Sequence, residues 1–423
     1  MLIKQKYLAL LRFNLNAIRS SRTGVFLVVS FLSFVSSTFI EEGIKFAAFD
    51  LTQSKTVVSM LRPFSSVSYI VFFTFIGIIV DMISRKFFLY LHLIGLSILS
   101  LSLFLMYKSG YATILLLAVF VIVHVLSSSL FQSARNAIFY DLCGADNLAT
   151  WISRRAMVRN GAELAGFLVL SFFVFDSALL FAIYPIILLS ALPVFWVIGY
   201  EDRNRKRKFS SFGEGVTFVG AQLREFVAVC RRNNTLLSLF AFSFGKTMFI
   251  FWPMAVGALL KFGIETAATR RVYLIAMVAM SIVSIVSSYA LGKLKESFTI
   301  RSFVIGAGVS GLGIFLLSLT HNTIASTAML AIMYVGLAIS GLSASYILRA
   351  ELPEDHRTQG LGFSVVPYYT ADMVSGSIFA LLLQFFSVDR LLFWDGVVLI
   401  LVCAMTLLVM KPSKPAGADF SVG

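Results

Sequence analysis

The sequence predicts an all-α membrane protein with twelve transmembrane helices in two pseudo-symmetric six-helix halves. Three observations support this prediction. Hydrophobic residues make up 58% of the 423 positions and charged residues only 13%, which is too little charge to cover a soluble domain of this size. Apolar runs long enough to cross a bilayer recur along the whole chain. A short polar motif also returns after about half the chain, as expected for two halves that arose by duplication.

The composition excludes a water-soluble enzyme, a disordered chain and a disulfide scaffold. It also disfavours an outer-membrane barrel, whose strands alternate and do not form apolar runs of about 20 residues. The three cysteines and four histidines show no metal-ligand spacing, and no nucleotide-binding or catalytic motif is present. We therefore predict no enzymatic activity, no cofactor and no metal.

The elements follow one another in a simple order. Residues 1–23 are expected to form a cytoplasmic amphipathic segment without a cleavage site. The N-terminal half is predicted at 24–199, the C-terminal half at 235–410 and a cytoplasmic tail at 411–423. The predicted spans are 24–49, 57–80, 87–107, 112–134, 156–175, 177–199, 235–260, 271–292, 300–319, 322–348, 360–386 and 390–410.

The remaining segment, residues 200–234, connects the two halves. It opens with the basic run Arg203 to Lys208 and continues with apolar residues at helical spacing from Phe218 to Cys230. A basic amphipathic helix of this kind is expected to lie on the inner leaflet. We interpret it as a tether between the halves, with a regulatory role as the alternative.

Basic residues predict the orientation. The N-terminus, the even-numbered connections and the tail hold 26 Lys and Arg, whereas the odd-numbered connections hold 7. Basic residues accumulate on the cytoplasmic side, so both termini are predicted in the cytoplasm. The net charge of +14 then reflects membrane flanks, and we predict no nucleic-acid partner.

The repeated motif carries a family resemblance. Gly77 and Asp81 after span two are matched 215 residues later by Gly292 and Glu296 after span eight. The segment Gly77-Ile-Ile-Val-Asp81-Met-Ile-Ser-Arg85-Lys86 resembles the signature of the major facilitator superfamily between helices two and three, although Met82 and Ser84 depart from it. The resemblance implies a cytoplasmic gate whose charge contacts hold the outward-open state. The gate residues it implies are Gly77, Asp81, Arg85, Lys86, Gly292 and Glu296.

Other segments resemble the drug and siderophore exporters of that superfamily, which include enterobactin-type and macrolide efflux proteins. The matching segments are Phe49-Asp50-Leu51-Thr52-Gln53-Ser54, Ser133-Ala134-Arg135-Asn136-Ala137 and Thr370-Ala371-Asp372-Met373-Val374-Ser375-Gly376. The resemblance implies a bacterial inner-membrane protein that exports a drug or siderophore.

Acidic residues inside the spans are the candidates for proton coupling, because a charge in the membrane is costly and usually functional. These candidates are Asp372, Glu42, Glu41 and Glu163. Each has a plainer alternative. One of Glu41 and Glu42 can pair with Lys45 on the same helix face, Glu163 can pair with Arg159, and Asp372 can be a hydrogen-bonded packing residue.

Basic and aromatic residues in the spans are the candidates for substrate or charge contacts. They are Lys45, Lys246, Arg62, Tyr368, Tyr369 and Trp252. Lys246 lies deep in span seven, where it is expected either to pair with Asp372 or to meet an anionic substrate.

These features together predict a secondary active transporter that works by alternating access. The expected activity is proton-coupled export of a small amphipathic or anionic molecule such as a siderophore or drug. The expected partners are this substrate, protons and membrane lipid, and the expected state is a monomer. The alternatives are a lipid or lysophospholipid flippase, an uptake symporter and a non-transporting membrane scaffold.

Overall fold

The computed structural model describes residues 22–82, 84–143, 148–173, 176–200, 211–291, 298–352 and 365–409, and every regular element in them is helical. The helices are α1 (Arg22–Thr52), α2 (Lys55–Met82), α3 (Arg85–Lys108), α4 (Ile114–Cys143), α5 (Leu148–Phe173), α6 (Ser177–Ile198), α7 (Phe212–Arg232), α8 (Asn234–Phe262), α9 (Ala267–Leu291), α10 (Ile300–Leu319), α11 (Thr323–Glu351), α12 (Val365–Leu382) and α13 (Val388–Val409).

In the described ranges, nine helices are long and apolar enough to cross a bilayer: α1, α3, α4, α6, α8, α9, α10, α11 and α13. Helices α2, α5 and α12 occupy the positions of predicted spans two, five and eleven and contain 28, 26 and 18 residues. The count of twelve spans stays a prediction.

Polar caps determine where several helices begin. Asn233 accepts hydrogen bonds from the N–H groups of Thr235 and Leu236 and so starts α8. Thr299 and Ser302 form a reciprocal capping box at the start of α10, and each of these caps satisfies N–H groups that a helix leaves unpaired.

The helices form two groups along the chain, α1–α6 and α8–α13. In the first group, α1 packs against α4, α5 and α6, and in the second α10 packs against α11 and α13. The backbones of α10, α11 and α13 approach closely because Gly313 faces Met333, Gly336 faces Ser310 and Gly396 faces Phe315. Small residues of this kind drive helix association where no hydrophobic effect is available.

The groups meet through two symmetric pairs of helices. Helix α2 packs against α12, and α5 packs against α9. In each pair the second helix of one group meets the fifth helix of the other. This reciprocal packing matches the two-fold relation expected of two parallel repeats.

Helix α7 lies between the two groups along the chain and has apolar residues on two of its faces. Phe226 and Cys230 are buried against α8, α10 and α11, whereas Phe218, Leu223 and Val227 are exposed. Arg231 and Arg232 occupy its last turn, where positive charge is favourable. The segment predicted to be an amphipathic helix is thus a helix that is docked on one side and exposed on the other.

Candidate functional site

The contact between α2 and α12 is an antiparallel ladder of polar and aromatic pairs. The pairs are Pro63 with Gly376, Ser66 with Asp372, and Tyr69 with Tyr369. The Ser66 hydroxyl donates to Oδ2 of Asp372 over 2.5 Å, and the rings of Tyr69 and Tyr369 stack 4.3 Å apart. Asp372 is only 1% exposed, so the candidate ranked first from the sequence lies directly between the two helix groups.

Trp252 closes the same contact nearer the start of α2. Its Nε1–H donates to the Ser59 hydroxyl over 2.6 Å, and its ring stacks on Phe379 at 4.5 Å. Trp252 is almost completely buried. Trp252 joins α8, α12 and α2 in this arrangement, and its contact with a substrate stays a prediction.

Ion pairs reinforce the end of the bundle where α1 stops and α2 begins, which we call the Asp50 end. The buried Arg270 guanidinium at the start of α9 forms a bidentate pair with the Asp50 carboxylate, and its Nη1 lies 3.1 Å from Oδ2. Arg270 also donates from Nε to the carbonyl oxygen of Ile264. Ser177 donates to the same carboxylate over 2.6 Å, so Asp50 links α1, α6 and α9.

A second pair at the Asp50 end also joins the two groups. Lys55 Nζ lies 2.7 Å from Oε1 of Glu265, in the turn between α8 and α9. Partial burial raises the pKa of Glu265. The hydrogen bond and charge of Lys55, together with hydrogen bonds from the backbone N–H groups of Glu265 and Ile264, outweigh this effect and leave the pKa below its ordinary value. From the sequence alone, the basic residues at this end indicated only the topology. Their carboxylate partners lie far away along the chain.

Glu42 lies on the inner face of α1. Lys45 donates to its Oε1 over 2.7 Å, and the hydroxyl of Tyr273 on α9 lies 3.5 Å from the same atom. Its second oxygen, Oε2, is buried and has no hydrogen-bond partner in the described part of the chain. The local pair with Lys45 therefore forms on Glu42, as one of the sequence alternatives expected, and leaves half of this carboxylate available.

Glu163 forms the ion pair with Arg159 that the i, i+4 spacing predicts, with 3.0 Å between Oε1 and Nε. The Arg159 side chain is 63% exposed although it lies in the interior of α5. It also lies over the ring of Phe34 and interacts electrostatically with Glu41 and Tyr368. An exposed ion pair surrounded by α1 and α12 must face an open space between the helix groups rather than lipid.

Two cations inside the helix groups have aromatic and hydroxyl neighbours in place of a carboxylate. Arg135 on α4 is 4% exposed and lies 4.2 Å from the centroid of the Phe34 ring. Lys246 on α8 contacts the Ser340 hydroxyl at 3.3 Å and the ring of Phe303. Neither cation has an ion pair among the described residues, and Lys246 does not pair with Asp372, which was one of the two expectations.

Arg135 was noted in the sequence only as part of a resemblance. The available signal was its position, since it follows a long apolar run inside α4. Asp395 on α13 was missed altogether, although it lies in an apolar run of the same kind.

The predicted gate is described only in part. Arg85 and Lys86 begin α3, where Nη1 of Arg85 lies 3.4 Å from the hydroxyl of Tyr200. Gly77 and Asp81 belong to α2, but their side chains and that of Arg62 lie outside the described part, as do Gly292 and Glu296. The gate therefore stays a prediction. Within the described ranges, no three His, Cys, Asp or Glu side chains are grouped to hold a metal ion.

Comparisons with known proteins agree with this architecture. Residues 25–369 match the Major Facilitator Superfamily, and no curated sequence gives a significant match. The nucleoside transporter NupG is similar with a TM-score of 0.70 and 16% identity, over 92% of this chain and 100% of that one.

Two further structures share the fold. A POT family transporter in complex with 5-aminolevulinic acid gives a TM-score of 0.66 and 14% identity, over 91% of this chain and 95% of that one. The xylose transporter XylE from E. coli, in an inward open conformation, gives a TM-score of 0.58 and 14% identity, over 95% of this chain and 97% of that one. Because the family match covers most of the chain and these transporters share its fold, the protein is a membrane transporter rather than an enzyme, and it belongs to the Major Facilitator Superfamily.

Proposed function

We propose that the protein is a proton-coupled exporter of a small anionic or amphipathic molecule, working by alternating access in a bacterial inner membrane with both termini in the cytoplasm. The observation that carries this proposal is the hydrogen bond between Ser66 and Asp372. It places a buried carboxylate in a contact that must break when the two helix groups separate.

Alternating access is supported by where the groups touch. The ladder between α2 and α12 and the pairs Asp50–Arg270 and Lys55–Glu265 extend from the Asp50 end into the middle of the bundle. The distribution of basic residues puts this end on the periplasmic side. In this proposal, the described contacts belong to a state that is closed to the periplasm.

Proton coupling follows from the chemistry of Asp372. An ionised carboxylate accepts a stronger hydrogen bond than a protonated one. Loading a proton on Asp372 therefore weakens its bond to Ser66 and lowers the cost of separating α2 from α12. Glu42, Glu41 and Glu163 are the secondary candidates.

An anionic substrate is supported by Arg135 and Lys246. Each helix group contributes one of these cations, and neither has an ion-pair partner in the described chain. A charge held in the membrane is stabilised by a counter-charge. A carboxylate, catecholate or phosphate group bound between the groups supplies that counter-charge, which agrees with the resemblance to siderophore and drug exporters.

The test begins with the substrate. Metabolites are compared between cells with and without the gene, and the anion that accumulates inside the deletion strain is loaded into proteoliposomes. Efflux is then measured with and without an inward proton gradient. We expect the gradient to accelerate efflux, whereas acceleration of inward movement would identify an uptake symporter.

The coupling role is tested with Asp372→Asn, which keeps the volume of the side chain. We expect gradient-driven efflux to be lost while exchange of labelled for unlabelled substrate persists, because the substrate path keeps its shape. Asp176→Asn is the matched control, since Asp176 pairs with Lys108 at the surface of one helix group. Full gradient-driven efflux in a folded Asp372→Asn protein would exclude this residue from coupling.

A further inference from the structure

A pocket lies outside the contact between the two helix groups. It is bounded by α8, α12 and α13 and has a volume of about 270 Å³. Its walls are mainly apolar and include Met248, Phe379 and Val398. The pocket thus belongs to the second helix group alone.

Asp395 lines this pocket and is 3% exposed. Neither of its carboxylate oxygens has a hydrogen-bond partner in the described part of the chain. It is also the only ionisable side chain among the described residues that line the pocket. The hydroxyl of Ser375 on the facing helix is likewise buried and without a partner there. Polar groups this deeply buried normally form hydrogen bonds. The Asp395 carboxyl group and the Ser375 hydroxyl are therefore available to bind a ligand.

The pocket opens sideways, toward the bilayer. Ile378, Phe386 and Trp394 line it and are 43%, 44% and 62% exposed. Asp395 is the eighth residue of α13, which places it about 10 Å along the helix from its start. A molecule dissolved in the bilayer can therefore reach the carboxylate without entering the space between the helix groups.

We propose that this pocket binds a small lipophilic amine that enters from the membrane. The ammonium group pairs with Asp395 and donates a hydrogen bond to Ser375, while the apolar part packs against Phe379 and Trp394. A buried carboxyl group without a hydrogen-bond partner is costly, and an amine of matching size supplies the missing partner. The volume lies at the lower end of ligand pockets, which suits a molecule with one ring and a short chain and excludes a whole phospholipid.

The test uses 4-phenylbutylamine and its neutral analogue 4-phenylbutanol. Their binding to the full-length protein in phosphatidylcholine nanodiscs is measured by calorimetry. We expect the amine to bind at least about tenfold more tightly than the alcohol, the effect of one hydrogen-bonded charge pair. We expect Asp395→Asn to remove this preference. We expect Asp389→Asn to keep it, because this is the same change on the same helix at an aspartate that pairs with Lys261 and does not line the pocket.

Two outcomes would overturn the proposal. Equal binding of amine and alcohol to the wild-type protein would show that the pocket holds only an alkyl or aryl group, and this comparison needs no variant. Loss of amine binding in nanodiscs that contain phosphatidylethanolamine would instead identify a lipid amine as the occupant. Efflux driven by the proton gradient is a separate measurement, so failure here leaves the proposed transport function standing.

Discussion

Glu42 and Asp372 show how a membrane carboxylate depends on its neighbours. Lys45 lies three positions after Glu42, so their pairing follows from helical spacing and could be predicted from the sequence. Ser66 is 306 positions from Asp372, and nothing local in the chain reveals that contact. Arg270 and Asp50 are separated by 220 positions and show the same limit. Sequence therefore identified the charged residues, whereas only the fold identifies most of their partners.

The Lys55–Glu265 pair predicts a pH dependence of stability. Because the pKa of Glu265 is depressed in the folded protein, the pair stabilises above the ordinary glutamate pKa of about 4.3. That stabilisation is lost as the pH falls through the lower, folded value. Both side chains are more than one-third exposed, which limits the effect to a few tenths of a kcal/mol.

We expect the melting temperature of Glu265→Gln to be slightly below that of the wild type at neutral pH. The two melting temperatures should be equal once the pH is well below about 4. Melting temperature in detergent, recorded across this range, is the measurement. A gap that widens on acidification would mean that Glu265 does not act through Lys55.

At the scale of helices, apolar runs located most elements well. The predicted span 300–319 coincides with α10, Ile300–Leu319. The predicted span 156–175 differs from α5, which begins at Leu148. The first two turns of α5 contain Arg154 and Arg155, so the helix extends beyond its apolar part. Hydropathy detects the buried length of a helix and misses its polar continuation.

Gly376 allows the close approach of α12 to α2. A Cβ atom at this position would lie 2.7 Å from Cδ of Pro63, and a proline ring inside a helix has little freedom to move. We expect Gly376→Ala to lower stability by about 1–3 kcal/mol through overpacking, or to separate the two helices. Melting temperature and efflux rate together report these effects.

The matched control is Gly341→Ala on α11, where a Cβ meets no atom within 4 Å. That change should leave stability the same or raise it by up to about 1 kcal/mol, because alanine favours the helix. Equal melting temperatures for the two variants would show that the ladder between α2 and α12 is not tightly packed.

For the whole molecule, our proposal of alternating access predicts that the ion pairs at the Asp50 end help to keep that end closed. Arg270→Gln leaves the Asp50 carboxylate without its bidentate partner. Losing hydrogen bonds to a charged group is worth about 1.5–3 kcal/mol, enough to shift a two-state equilibrium by roughly ten- to a hundredfold. We expect a larger fraction of molecules to be open at this end.

Spin labels at Ser109 and His321, which lie in exposed turns of different helix groups, measure this opening as a longer distance in pulsed electron resonance. Lys261→Gln is the control, since Lys261 pairs with Asp389 inside one group. We expect the control to keep the wild-type distances. The same distances in Arg270→Gln would show that the closed state does not depend on the ion pair.

The polarity of α5 also bears on how the chain is made. Arg154, Arg155, Arg159 and Glu163 all lie in this helix, and a charge near the bilayer centre opposes insertion by about 2.5–3.5 kcal/mol. Its packing partner α1 is synthesised first and offers Phe34 and Glu41 to these charges. Helix α5 is therefore expected to enter the bilayer in contact with helices that are already inserted there. A ribosome-bound chain that lacks α1 is expected to leave α5 outside the membrane, so insertion and tertiary folding are one step for this part of the protein.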